Sequence, residues 1–297
     1  MAADSPFVRS SVRAAAAALL ILIGVLLPGP KGPAYAQGAP SRIVSLIPAT
    51  TEMLFAMGAG DRVVGVGNYD RFPPEVQTRP RVGGLIDPDT EQILALRPDL
   101  VIVYNTQVEL KRRLDRAGLS YFSYEHRALP DIMATTRTLG ERVGASARAH
   151  SVAGEMERAL AAVRTSVAGR PRPRALLVFG RQPGSLRSVN ASGGYGFLAD
   201  LLDIAGAENV FSEIKQQSVQ ASTEMLLARR PDVIVELKYG AAMPGLDPAR
   251  ELEPWNALTS VPAVRNKRVY LLTGDEFVVP GPRIVLAAQR LAKVVHP

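Results

Sequence analysis

The chain carries the stretch TEQILALRPDLVIV at residues 90–103 and repeats it as TEMLLARRPDVIV at residues 223–235. Seven of the first ten positions are identical, and the offset between the two copies is 133 residues. Each copy has the pattern of a short amphipathic helix, a Pro-Asp stop and a buried β-strand. Because this offset is too long for a solenoid, the repeat predicts two similar lobes with a ligand-binding cleft between them.

Apolar, β-branched runs alternate with helical segments on both sides of each repeat. This alternation is typical of parallel sheets covered by helices, so the predicted fold class is α/β with two mostly parallel sheets. We place the lobes at residues 41–128 and 169–297. Residues 129–168 are rich in alanine and apolar at helical spacing, which predicts one long helix joining the lobes. Two helices broken near Gly144 are the alternative.

Residues 1–36 have the pattern of a cleaved secretory signal peptide. Arg9 and Arg13 precede an uncharged apolar run of about 14 residues, which is short of the roughly 20 that span a bilayer. A membrane anchor is the alternative. The chain has no cysteine, which excludes lipid modification of a cysteine, disulfides and thiolate metal sites. We therefore expect a periplasmic protein.

The composition argues against several function classes. The formal net charge is +7, but the basic residues are scattered without aromatic partners, which disfavours a nucleic-acid surface. No nucleophile-elbow or phosphate-loop motif is present, so no catalytic residues are predicted. The histidines His126, His150 and His296 do not lie at metal-ligand spacing, and no metal site is predicted. His126 lies near the predicted lobe junction.

Five segments in the same order resemble one family of transport proteins. They are RIVSLIPATTE at 42–52, VGG at 82–84, LRPDLVI at 96–102, AGAENVF at 205–211 and PRI at 282–284. The chain resembles the substrate-binding proteins of ABC importers for vitamin B12, ferric siderophores and heme, over residues 41–295. The resemblance implies two Rossmann-like lobes, a rigid backbone helix and a protein that is not an enzyme.

The resemblance also implies a role for one glutamate in each repeat. Glu91 and Glu224 lie in the first turn of the two repeat helices, and glutamates at these places in the family form salt bridges with arginines of the permease dimer. The alternative is that each carboxylate only interacts with its helix dipole, which contributes about 0.3–1 kcal/mol without any partner. Two equivalent positions on two lobes favour docking.

Ligand contacts are predicted where strands end and where the family binds its ligand. Tyr69 and Tyr104 match positions that line the vitamin B12 pocket, whereas Leu85 replaces a tryptophan there and Val279 replaces a common arginine. Arg181 is a candidate substitute for that missing charge. The full set of predicted ligand-binding residues is Tyr69, Phe72, Leu85, Tyr104, Arg181, Gln182, Tyr195, Asp275, Phe277 and Arg283.

These features together predict a monomeric periplasmic protein that captures cobalamin and delivers it to an ABC permease. It would hold no resident cofactor, because cobalamin is the transported ligand. A ferric siderophore or heme is the alternative ligand within the family. An exported enzyme on a duplicated α/β fold is the alternative from another class, and it would need a cluster of titratable residues with perturbed pKa values in the cleft.

Overall fold

The computed structural model describes residues 38–240 and 245–297. The predicted signal peptide at residues 1–36 lies outside the described residues. Among the described helices, none combines the length and the apolar character that crossing a membrane requires. The structure confirms the predicted two-lobe α/β fold class.

The N-terminal lobe is built on a parallel sheet with the strand order β2-β1-β3-β4. Its strands consist of buried, mostly β-branched residues, as a sheet covered on both faces requires. Its elements are β1 (Ile43–Ser45), α1 (Pro48–Ala56), β2 (Val63–Val66), α2 (Thr90–Ala95), β3 (Leu100–Tyr104), α3 (Val108–Arg116) and β4 (Tyr121–Tyr124).

Two helices, α4 (Leu129–Arg142) and α5 (Ser146–Ser166), follow the first sheet, so the prediction of one continuous helix is wrong. The alternative of two helices broken near Gly144 is confirmed. Gly144 takes a φ of 68°, a left-handed conformation that ends a helix and favours glycine. The helices then fold against each other as a hairpin, with Arg137 donating to Glu157 at 2.8 Å and Gly140 packed directly on Ala149.

The C-terminal lobe contains a mixed sheet with the strand order β10-β9-β5-β6-β8, and β7 pairs with β5. Strands β6 and β8 are antiparallel to their neighbours, which the regular strand–helix alternation of the sequence did not predict. The elements are β5 (Arg174–Gly180), β6 (Val189–Ser192), α6 (Phe197–Ile204), β7 (Glu208–Asn209), β8 (Ser218–Ala221), α7 (Thr223–Arg229), β9 (Val233–Lys238), α8 (Pro248–Leu252), α9 (Pro262–Arg265), β10 (Val269–Thr273) and α10 (Ile284–Val295).

The two copies of the repeat adopt the same local structure. The side chains of Asp89 and Ser222 cap α2 and α7 by accepting backbone N–H bonds. Arg97 and Arg230 then take left-handed φ angles of 48° and 49° as each helix ends.

The aspartate of the Pro-Asp pair in each repeat binds the start of the first strand in the same lobe. Asp99 accepts a hydrogen bond from the backbone N–H of Arg42, and Asp232 accepts one from that of Arg174. The sequence repeat is therefore a structural unit that sets the start of the sheet in each lobe.

An ion pair between the lobes holds them against each other. Glu52 of α1 is buried, and Arg283, just before α10, donates to its two carboxylate oxygens at 2.5 and 3.1 Å. The guanidinium of Arg283 also lies 4.2 Å from the ring centre of Phe72. Burial raises the pKa of Glu52, and the hydrogen bond from Arg283 opposes that rise. Nearby, Arg71 pairs with Asp275 at 3.5 Å, again across the two lobes.

Removing one partner of the Glu52–Arg283 pair should destabilise the protein strongly. Arg283→Met leaves a buried carboxylate without its cation, and we expect a loss of about 3 kcal/mol in the free energy of unfolding measured with urea at pH 7. The double variant Glu52→Gln/Arg283→Met should recover part of that loss, because no buried charge remains.

Arg137→Met is the matched control, since it breaks an ion pair with Glu157 that is open to solvent. We expect that control to lose less than about 1 kcal/mol. Equal, small losses for Arg283→Met and Arg137→Met would contradict the structural role given to the pair between the lobes.

Candidate functional site

A cavity of about 390 Å³ lies where the two lobes meet. The N-terminal lobe contributes the first turn of α1, the loop at 85–87 and the C-terminal ends of strands, where open α/β sheets bind ligands. The C-terminal lobe contributes residues 278–280. The lining residues are mostly apolar or aromatic: Leu46, Ile47, Pro48, Ala49, Tyr69, Leu85, Ile86, Asp87, Tyr104, Tyr124, His126, Val278, Val279 and Pro280.

The structure brings together three of the predicted ligand residues, Tyr69, Leu85 and Tyr104, on the wall of this cavity. Tyr69 and Leu85 are 64% and 43% exposed, so their apolar surfaces are free to contact a ligand. Gln107 positions two of these wall segments, because its side chain accepts from the backbone N–H of Tyr104 and donates to the carbonyl of Leu85. The neighbouring Ile86 is 95% exposed.

Tyr124 and His126 also line the cavity, and neither was predicted to contact a ligand. Their rings pack with Tyr104 and Phe197 in one aromatic cluster, with ring centres 5.6–5.9 Å apart. Burial lowers the pKa of His126, so its imidazole is neutral near pH 7. The sequence could have indicated this position, since Tyr-Glu-His spans the C-terminal end of β4, and ligands bind at the C-terminal ends of parallel strands.

Three predicted ligand residues contact the opposite lobe instead of lining the cavity. Phe72 lies under the guanidinium of Arg283, and Arg283 itself pairs with Glu52. Asp275 pairs with Arg71 and accepts from the backbone N–H of Gly240. These side chains therefore set the position of the lobes around the cavity.

Three more predicted ligand residues contact other residues of the C-terminal lobe instead of lining the cavity. Phe277 is fully buried beneath Arg290, because its apolar ring belongs to the core. Arg181 is buried with Glu236 at 2.9 Å, so it does not replace the charge missing at Val279. Gln182 lies in the turn between β5 and β6, where its N–H donates to the carbonyl of Arg187.

Tyr195 lines a second cavity of about 290 Å³ that shares Val278 with the first. This neighbouring cavity is formed mainly by the C-terminal lobe, with Phe179, Gly196 and Gln217 among its lining residues. The shared residue makes the two cavities adjacent, so Tyr195 stays a predicted ligand contact.

The two repeat glutamates, Glu91 and Glu224, are exposed in the first turns of α2 and α7. A hydrogen bond from Ser222 lowers the pKa of Glu224, which keeps that carboxylate ionised. Within the described part of the chain, Glu91 makes no ion pair with another side chain. Both carboxylates are therefore available to a partner.

Comparison with known proteins identifies the family. The periplasmic binding protein family matches residues 43–276. The chain belongs to this family. A curated relative, the vitamin B12-binding protein of Salmonella typhimurium, is 29% identical over 266 residues, which cover 89% of this chain and 92% of that protein.

Solved structures of other periplasmic binding proteins share the fold. The periplasmic vitamin B12-binding protein of Vibrio cholerae has a TM-score of 0.72 at 24% identity, covering 86% of this chain and 97% of its own. The periplasmic heme-binding protein of the same organism has a TM-score of 0.75 at 21% identity, covering 86% and 99%. The family assignment confirms the prediction of a binding protein that is not an enzyme.

The charge content of this binding protein's cavity is low. Within the described segments, Asp87 is the one acidic lining residue, and no lysine or arginine lines the cavity. No group of three or more potential metal ligands is present among residues 38–240 and 245–297. The cavity thus offers aromatic faces and a few polar atoms to a ligand.

Asp70 supports the loop that carries Tyr69, and it makes the stability of this loop depend on pH. Burial raises the pKa of Asp70 to about 7, and Arg81, which donates to the carbonyls of Gly67 and Asp70, only partly opposes the rise. The folded state therefore holds a proton that the unfolded chain releases near pH 4. Folding stability is lost as pH rises from about 4 to 7.

Asp70→Asn should stabilise the protein at pH 8 and have little effect at pH 4, because it removes a carboxylate that is costly only when ionised. Urea denaturation at both pH values measures this difference. Asp61→Asn changes an exposed carboxylate on the same lobe and is the control. A loss of stability for Asp70→Asn at pH 8 would show instead that the folded state stabilises the ionised carboxylate.

Proposed function

We propose that this chain captures cobalamin outside the inner membrane and delivers it to an ABC permease. The observation that carries the proposal is the cavity at the lobe junction, with Tyr69 and Tyr104 on its wall, in a chain 29% identical to vitamin B12-binding proteins. A corrinoid is a broad conjugated plate with polar edges, and it needs aromatic faces and a few hydrogen-bonding groups around it.

A ferric siderophore or heme is the alternative ligand in the same site. The structural similarity to the heme-binding protein of Vibrio cholerae supports this alternative, as does the loss of the family tryptophan at Leu85. Residues 1–36, which have the pattern of a signal peptide, support export to the periplasm and release from the membrane.

The two repeat glutamates support docking to a permease dimer. Their helices are already capped by Asp89 and Ser222, so neither glutamate is required as the cap. Each occupies the second position of its helix in an equivalent unit of its own lobe. Two separated carboxylates fix the orientation of the docked protein, which a single contact does not.

Replacing a wall tyrosine should weaken the binding of cyanocobalamin in calorimetric titration. We expect Tyr69→Ala and Tyr104→Ala each to lose about 1–3 kcal/mol of binding free energy, since a large aromatic contact with the ligand is removed. Tyr121→Ala, at the opposite end of β4 and away from the cavity, should keep its affinity. No heat of binding for the unaltered protein with cyanocobalamin, and clear binding of hemin or ferrichrome, would reassign the ligand.

Replacing both repeat glutamates should abolish transport but not ligand capture. We expect Glu91→Ala/Glu224→Ala to bind cyanocobalamin normally and to drive no uptake through the cognate permease in proteoliposomes. Glu75→Ala/Glu208→Ala removes one exposed carboxylate from each lobe and should transport normally. Weaker ligand binding by the first double variant would instead place these glutamates in the binding site.

A further inference from the structure

Two residues that line the cavity each carry a buried polar atom whose hydrogen-bonding capacity is not used within the described part of the chain. Tyr124 is 1% exposed, and its hydroxyl has no hydrogen-bond partner within the described part of the chain. The Nδ1 atom of His126 is likewise buried and unpartnered there. Both residues line the cavity at the lobe junction, and their ring centres are 5.7 Å apart.

Such atoms are rare in folded proteins because leaving them unpaired is costly. More than about nine in ten buried polar groups have a hydrogen-bond partner, and an unpaired one costs about 1–3 kcal/mol. A ligand that supplies the missing partners therefore gains affinity at these two atoms. Neither residue was singled out by the sequence analysis as a ligand contact.

The aromatic cluster keeps these two polar side chains in place. His126 packs edge-to-face against Tyr104 on one side and Phe197 on the other, and Tyr124 packs against Tyr104. Phe197 belongs to the C-terminal lobe, so packing from both lobes restrains the imidazole. The two polar side chains are therefore held in a fixed arrangement.

The surroundings favour an uncharged ligand group over an anionic one. Burial keeps His126 neutral, and Asp87 supplies a negative charge to the cavity lining. Two arginines that form contacts between the lobes, Arg71 and Arg283, are paired with Asp275 and Glu52. A buried carboxylate of a ligand would lose its hydration without gaining a cation.

We propose that Tyr124 and His126 together bind an uncharged hydrogen-bonding group at the edge of the ligand, of the carboxamide or hydroxamate class. This inference rests on the proposed capture of a bulky ligand in the cavity, and it adds the chemistry by which that ligand is selected. Carboxamides donate and accept hydrogen bonds, whereas iron-bound hydroxamates only accept them. The Tyr124 hydroxyl, and the neutral imidazole of His126 with its proton on Nδ1, can donate to either group.

The test compares isosteric variants by calorimetric titration with three probes: cyanocobalamin, which carries carboxamides, ferrichrome, which carries hydroxamates, and hemin, which carries two carboxylates. We expect the unaltered protein to bind one of the two uncharged probes more tightly than hemin. Tyr124→Phe and His126→Phe should each weaken that binding about 5- to 20-fold, because each leaves a polar group of the ligand unpaired. Tyr121→Phe, on the same strand and away from the cavity, should not change it.

A second comparison changes the ligand and keeps the protein. If cyanocobalamin is the bound probe, its monocarboxylic acid derivatives, in which one carboxamide is replaced by a carboxylate, provide the comparison. The isomer that carries the carboxylate at the edge contacted by Tyr124 and His126 should bind less tightly than cyanocobalamin. That penalty should shrink in Tyr124→Phe/His126→Phe. If ferrichrome is the bound probe, the same double variant should weaken its binding more than either single variant does.

The outcomes separate this inference from the proposed function. If a probe binds and the two variants keep full affinity, or if hemin binds most tightly, the inference is wrong while ligand capture stands. If none of the three probes binds the folded protein, the proposed function is wrong and the inference fails with it.

Discussion

The ion pair between Glu52 and Arg283 is the constraint on which the ligand cavity depends. An ionised carboxylate with almost no solvent access requires a nearby cation, and for Glu52 that cation comes from the opposite lobe. Satisfying Glu52 therefore fixes how the second lobe sits against α1. Phe72 and the Arg71–Asp275 pair add contacts at the same junction. The walls of the cavity keep their spacing because these contacts hold the lobes together.

The lining of the cavity combines exposed aromatic surface with two buried polar atoms. Tyr69 and Leu85 are open to solvent, whereas Tyr124 and His126 are enclosed by other rings. Contacts at the wall supply hydrophobic and stacking energy, which depends weakly on ligand detail. Hydrogen bonds to the enclosed atoms depend strongly on ligand chemistry. In the proposed complex, affinity and selectivity would therefore arise from different parts of one cavity.

The sequence predicted the two lobes because Asp99 and Asp232 make equivalent hydrogen bonds, each with a backbone N–H at the start of the first strand of its lobe. This arrangement requires similar local residues in both halves. It predicted Tyr69 and Tyr104 on the cavity because the ends of parallel strands meet at one edge. It missed the reversed direction of β6 in the second sheet, since the direction of a short strand leaves no periodic signal. The break between α4 and α5 was only an alternative, because glycine within an alanine-rich helix costs only about 1 kcal/mol and does not by itself end the helix.

Arg181 and Phe277 show why side-chain roles were harder to predict than the fold. A position near the end of a strand places a residue at the edge of the sheet that borders the cavity. It does not determine whether the side chain points into the cavity or into the core of the lobe. Glu236 and Trp255 lie far from Arg181 in sequence. Inside the lobe, Glu236 accepts hydrogen bonds from Arg181 and from Trp255. Sequence spacing alone does not reveal such a long-range partner. The fold was thus more predictable than the site.

Among the described residues, the chain passes from the first sheet to the second only once, through the hairpin of α4 and α5. With a single crossing segment, separation of the lobes is opposed mainly by side-chain contacts such as the Glu52–Arg283 and Arg71–Asp275 pairs. If the proposed cargo leaves by separation of the lobes, breaking these pairs is the step that a partner would have to drive.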